Sequence, residues 1–230
     1  MTAAAGLGVV ALFIAGDIVL PFNDAPSTNA APIKVAAYVL HHRKALLADV
    51  YLNAVSFTLF ICFAAGLWQL LRAGVLSGQP FATIGLASAV ALSTVLLLGL
   101  AIAADVAYRS DTAQLDPQTL RILLDVTFIS FAISGLPTIA CMAAFSIAIT
   151  RARALPLWVA WIGFAGAVAH IAGSLTYAHR GAFSLEGSVG QIVPLFFYVW
   201  LVAAAVGLLL HARRGGGPGD ASEAPTAVQS

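Results

Sequence analysis

The spacing of its helix breakers limits this chain more than any other feature. Between Pro21 with Asn23-Asp24-Ala25-Pro26, Ser77-Gly78-Gln79-Pro80, Asp116-Pro117, Pro156 and Gly187-Ser188 lie long apolar runs. Such residues punctuate helices, and about 20 apolar residues cross a ~30 Å hydrocarbon layer as a helix. The runs fall at about 3–22, 44–72, 81–109, 118–150, 156–179 and 190–212. Only 9% of the residues are charged and 60% are hydrophobic, whereas a soluble domain is about 25% charged. The expected fold is all-α: a bundle of six transmembrane helices over 1–212 and a disordered tail over 213–230, which lacks apolar periodicity.

Local features refine that outline. Ile33, Ala36, Ala37 and Leu40 recur at helical spacing, so 32–43 reads as a short interfacial helix ahead of the second span. The first run lacks the basic start of a signal peptide and carries Asp17, so a retained span is expected. Gly135-Leu136-Pro137 falls inside the fourth run, where a proline removes a backbone donor and kinks the helix. Cys62 and Cys141 lie in apolar runs without metal-ligand spacing and read as small hydrophobes.

Charge excludes one class of partner and orients the chain. A formal net charge of +1 with no basic cluster leaves no footprint for nucleic acid. One side of the bundle receives Arg72, Arg151, Arg153, Arg213 and Arg214; the other receives Lys34, Arg43, Lys44, Arg109, Arg121 and Arg180. That near-tie breaks toward a cytoplasmic C-terminus because Arg109 and Arg121 lie four residues from Asp105 and Asp125 and pair with them. Trp68, Trp158 and Trp161 then form an inner aromatic belt. The sparse lysine and abundant alanine and glycine fit a GC-rich bacterial genome, so the expected location is a bacterial cell membrane.

The acids are unevenly placed. Asp17, Asp24, Asp49, Asp105, Asp111, Asp116, Asp125 and Glu186 all map to one end, and only Asp220 and Glu223 lie in the tail. At about 100° per residue, His42, Asp49, Asn53 and Ser56 share one sector of the second span. Asp105 and Arg109 share a face of the third, Arg121 and Asp125 of the fourth, and His170, Ser174 and Tyr177 of the fifth. Hydrocarbon tolerates ionisable groups poorly, so such stripes turn inward or toward water. The expected site is a polar pocket in the outer half, lined by Asp49, Asn53, Asp105, Arg109, Arg121, Asp125, His170, Ser174 and Tyr177. A purely structural polar network is the alternative reading of the same residues.

Catalytic motifs are missing from the pattern: no GxSxG, HExxH, Walker loop or GxGxxG occurs. No cofactor and no metal site is expected. The expected partners are membrane lipid and a small apolar or lipidic ligand. Two active readings stay open beside simple binding. One is a proton-coupled carrier or exporter titrating Asp49, Asp105 or Asp125. The other is an intramembrane acid–base enzyme, of isomerase or cyclase type, acting on a lipidic or prenyl substrate.

RKALLADVYLNAVSFTLFICFAAGLWQLLR from Arg43 to Arg72, PLWVAWIGFAGAVAHIAG from Pro156 to Gly173 and YVWLVAAAVGLLL from Tyr198 to Leu210 carry a resemblance. The chain resembles a bacterial family of uncharacterised integral membrane proteins with about six spans, a domain of unknown function. That resemblance implies the multi-span fold and assigns no reaction and no site residue.

Overall fold

The computed structural model of the chain describes residues 1–20, 26–27, 30–73, 78–110, 116–176, 181–184 and 187–215. Among them the secondary structure is helical throughout and contains no strand. The helices are α1 (Thr2–Val19), α2 (Pro32–Arg72), α3 (Gln79–Arg109), α4 (Pro117–Ile133), α5 (Gly135–Ala152), α6 (Leu157–Gly173) and α7 (Ser188–Gly215). By length and composition α1, α2, α3, the α4–α5 run and α7 can each cross a membrane, and α6 is a shorter apolar helix.

Several boundaries differ from the sequence pattern. The segment expected to be a separate interfacial helix is the first part of α2, which runs unbroken from Pro32. Nothing between Leu40 and Lys44 breaks a helix, and tertiary contacts reward continuation. Val35 and Val39 pack with Val106 of α3 and Leu120 of α4 in a small second core. The buried stripe is therefore Val35 and Val39, while Ile33 and Leu40 are 65% and 52% exposed. At the other end α7 continues to Gly215, past the expected start of the tail, and the rest of the tail lies outside the described residues.

The fourth run breaks where its composition foretold. Ser134 separates α4 from α5 while keeping right-handed helical angles, and Pro137 can offer no N–H to the preceding turn. Asp116 and Pro117 start this run. The Asp116 carboxylate accepts hydrogen bonds from the backbone N–H of Gln118 at 2.9 Å and of Thr119 at 3.2 Å, and from the Thr119 hydroxyl. These are orphan donors of a helix start, satisfied as an N-cap should satisfy them.

Six helices close a ring. α1 packs between α2 and α7, α3 joins α2 to α5, and α6 joins α5 to α7; α4 lies against α3 and α2. The ring is filled by side chains, many of them aromatic. Phe57 meets Phe13 edge-on at 5.0 Å, Phe60 meets Phe197 at 5.2 Å, and Trp200 stacks on Phe145 at 6.1 Å. Trp200, Phe60, Phe63 and Phe145 are fully buried. Cys141 is buried in this core, whereas Cys62 is exposed on the outside of the bundle.

Two outcomes check this packing. At Gly85 an added Cβ would lie 2.8 Å from the Phe145 ring. Gly85→Val is expected to destabilise the bundle by about 1–3 kcal/mol in detergent unfolding, the usual cost of overpacking. The second concerns acid. The Thr119 hydroxyl first, and then the backbone donors, hold the Asp116 carboxyl below its ordinary 3.8. A depressed folded value gives stability that is complete above the ordinary value and lost as pH falls through the folded one. Asp116→Ala should therefore speed hydrogen exchange in the first turn of α4 at neutral pH, and match the wild type in strong acid.

Candidate functional site

The register of α2 against α3 sets the depth of each polar group. Gln79 Nε2 donates to Arg72 O at 3.2 Å, Trp68 Nε1 to Thr83 Oγ1 at 3.3 Å, and Ser93 Oγ to Phe57 O at 3.5 Å. The two helices thus run antiparallel from their shared connection. With 41 residues α2 is about 60 Å long, and α3 with 31 residues is about 46 Å. A hydrocarbon layer of ~30 Å is exhausted about twenty residues from that connection. Asp49 and Asn53 then sit at the edge of the layer. Arg43, Asp105, Arg109, Arg121 and Asp125 lie beyond it, on a helical extension.

Exposure agrees with that placement. The Arg109 Nε–Asp105 Oδ1 pair is 2.8 Å apart, with side chains 51% and 48% exposed. Arg121 Nε and Asp125 Oδ2 are 3.7 Å apart, and Asp125 is again 48% exposed. Exposed pairs at this spacing add little to stability. Their placement needs no inward-facing pocket.

Asp49 is different. Among the described residues it is the buried carboxylate, 8% exposed. It does not look toward α3 and α4. Asn53 Nδ2 donates to Asp49 Oδ1 at 2.8 Å and to Asp49 O at 3.0 Å, so the two side chains form one unit. That unit faces Gly16 of α1: a Cβ there would lie 2.7 Å from Asp49 Oδ1 and 2.9 Å from Asn53 Nδ2. Only a residue without a side chain lets α1 come so close. One turn deeper Ser56 Oγ donates to Val9 O of α1 at 2.9 Å, fixing the same seam. Asp17, next to Gly16, is exposed. The ring of Tyr198 of α7 lies 5.1 Å from that of Phe13.

His170 and Ser174 belong elsewhere. His170 is 7% exposed on α6, and its Nδ1 donates to Gly166 O of the same helix at 2.9 Å. Ser174 Oγ donates to Ile171 O at 2.8 Å and packs against Gly135 at the α4–α5 break. Both are satisfied within α6, so the His170–Ser174 spacing forms no nucleophile and base. Tyr177 lies outside the described residues. The expected lining thus divides into Asp49 with Asn53 on α1, the charged pairs on the α3–α4 extension, and His170 with Ser174 on α6.

Three residues matter that the sequence pattern did not single out. Gly16 and Tyr198 shape the Asp49 seam. Arg43 ties the extension together, since its Nε donates to Ala107 O and its Nη2 to Tyr108 O, each at 3.0 Å. These carbonyls belong to the last turn of α3, where Ala107 O also accepts from Ser110 Oγ at 2.8 Å. A helix-end cation also offsets the macrodipole there.

Comparisons with protein-family models, with curated proteins and with solved structures find no match to the chain.

The Arg43 anchor has a measurable consequence. Arg43→Gln should cost roughly 1.5 kcal/mol, the lower range for hydrogen bonds from a charged donor, and should speed hydrogen exchange in the last turn of α3. Arg43→Lys should recover little, because an ammonium cannot span two carbonyls as the guanidinium fork does.

Proposed function

We propose that the chain is a multi-pass protein of a bacterial plasma membrane that binds a small amphiphile without transforming it. On this reading it belongs with the six-span family that its sequence resembles, α6 is the fifth of six crossings, and the C-terminus is cytoplasmic. The exposed Trp158 and Trp161, with Trp68, lie at the end that carries the C-terminus and mark a membrane interface there.

The binding position is the seam where α1, α2 and α7 meet at the edge of the hydrocarbon. One observation carries this reading. Asp49 is buried, its described hydrogen bond comes from an amide of its own helix, and no lysine or arginine pairs with it among the described residues. A carboxylate withdrawn from water costs several kcal/mol unless donors or a cation complete its shell. An amine or hydroxyl head group supplies that completion. The apolar body of the same molecule would rest on the half-buried ring of Tyr198, which stands beside Phe13.

A second reading is favoured by Asp17. Asp17 follows Gly16, the residue that Asp49 faces, so two carboxylates border one seam, and a proton-linked carrier would use that pair. The two readings separate cleanly by experiment.

Dodecylamine and dodecanol are suitable probes, added to the full chain in detergent and followed by native mass spectrometry. Dodecylamine is expected to bind the wild type, and Asp49→Leu and Gly16→Leu should each weaken it by about tenfold, equivalent to ~1.4 kcal/mol. Unchanged affinity in Asp49→Leu would reject the assignment. Proton flux in proteoliposomes that disappears in Asp49→Asn would favour the carrier over the passive binder.

A further inference from the structure

Hydroxyl groups on the helices of this bundle commonly turn back on their own backbone. Thr58 Oγ1 donates to Ala54 O at 2.9 Å, Thr94 Oγ1 to Val90 O at 2.9 Å, Ser130 Oγ to Val126 O at 2.9 Å and Thr138 Oγ1 to Ser134 O at 2.7 Å. That habit suits hydrocarbon, where a bare hydroxyl meets no other acceptor. Ser146 on α5 departs from it. Its Oγ and the Nε1 of Trp200 on α7 are the buried side-chain polar atoms without a hydrogen-bond partner among the described residues, and both residues are fully buried. Buried polar groups are paired with few exceptions, so two unpaired ones set close together point to a shared guest.

Both atoms meet beside Gly163 of α6. A Cβ added there would collide with Ser146 Oγ and lie 2.8 Å from Trp200 Nε1. Three helices thus bring a hydroxyl and an indole N–H against bare α6 backbone, an approach that only glycine permits. The surroundings are apolar. Trp200 stacks on Phe145 and meets Phe63 edge-on at 6.4 Å. One turn along α6, the Met142 thioether fills the notch at Gly166, with Sδ 3.2 Å from a Cβ placed there. A thioether repacks readily, so that wall yields to a small guest, whereas the rings bar a large one. Ser146 lies six residues before the end of α5 and Gly163 six after the start of α6, which sets the place about 9 Å in from their connection.

We propose that Ser146 Oγ and Trp200 Nε1 hold a single water molecule beside Gly163, a buried polar site that joins α5, α6 and α7 inside the membrane. The indole N–H only donates, while the serine hydroxyl both donates and accepts. The guest must therefore accept from Trp200, exchange a hydrogen bond with Ser146, and be one heavy atom in size. Water meets all three conditions, and a buried water takes roughly two to four polar partners. A direct bond from the indole to the hydroxyl would serve the same two atoms, but they make none. The site lies toward the end of the bundle away from Asp49 and does not depend on what that seam binds.

Radiolysis of the full chain in detergent tests this. An X-ray pulse turns bound water into hydroxyl radicals that oxidise the side chains touching it, and mass spectrometry locates the added oxygen. Trp200 and Met142 should be oxidised although both are fully buried, whereas Phe60, equally buried in the same core, should not. Ser146→Ala removes one partner of the water and should lower oxidation of Trp200 about fivefold, the equivalent of one hydrogen bond. Oxidation of the exposed Trp161 should stay unchanged in that variant. Trp200→Phe should lower oxidation of Met142 in the same way. A Trp200 that stays unmodified in the wild type would overturn the proposal, as would oxidation of Trp200 indifferent to Ser146→Ala. Oxidation of Phe60 to the same extent would overturn it too, because that pattern belongs to a bundle opening as a whole.

Discussion

Helix length set against hydrocarbon thickness governs this structure. A layer of ~30 Å takes about twenty helical residues, and α2 and α3, with 41 and 31, cannot end where it ends. The excess is gathered at one end, where the start of α2, the end of α3 and the start of α4 pack on Val35, Val39, Val106 and Leu120. That second core leaves Asp105, Arg109 and Asp125 about half exposed and Arg121 partly buried. The chain keeps its charges by moving them out of the bilayer, so most of them need no buried partner.

Within the layer, polar groups mainly hold helices to one another. Ser56 reaches a carbonyl of α1, Ser93 one of α2, and Thr127 Oγ1 donates to Gly99 O of α3 at 3.3 Å. Bonds of this kind between membrane helices are worth about 0.6 kcal/mol on average, useful for register and small beside the packed aromatic core. Asp49 stands apart because its bond to Asn53 joins no second helix. Structural economy does not account for a carboxylate there, and that is why the proposed function centres on it.

Element order, the helix start at Asp116-Pro117 and the break beside Gly135-Leu136-Pro137 were readable, since each depends on local backbone chemistry. So were the Arg109–Asp105 and Arg121–Asp125 pairs, fixed by helical spacing alone. Partnership between helices was not. Periodicity placed Asp49, Asn53 and Ser56 on one face, but a face does not name its neighbour, and that neighbour proved to be α1 through Gly16. For the same reason helical spacing points to Ile33 and Leu40, whereas contact with α3 and α4 buries Val35 and Val39. Arg43 resembled any basic residue near a span, and its role appears only when the end of α3 arrives beside it.

Spin labels placed singly along the outer face of α2, at Ala37, Lys44, Ala48, Tyr51, Thr58 and Cys62, test the length argument most directly in nanodiscs. Collision with a water-soluble nickel chelate should dominate at Ala37, Lys44 and Ala48, and collision with dissolved oxygen should take over from Tyr51 inward. Oxygen dominance extending back to Ala37 would place the extension inside the bilayer and contradict the account.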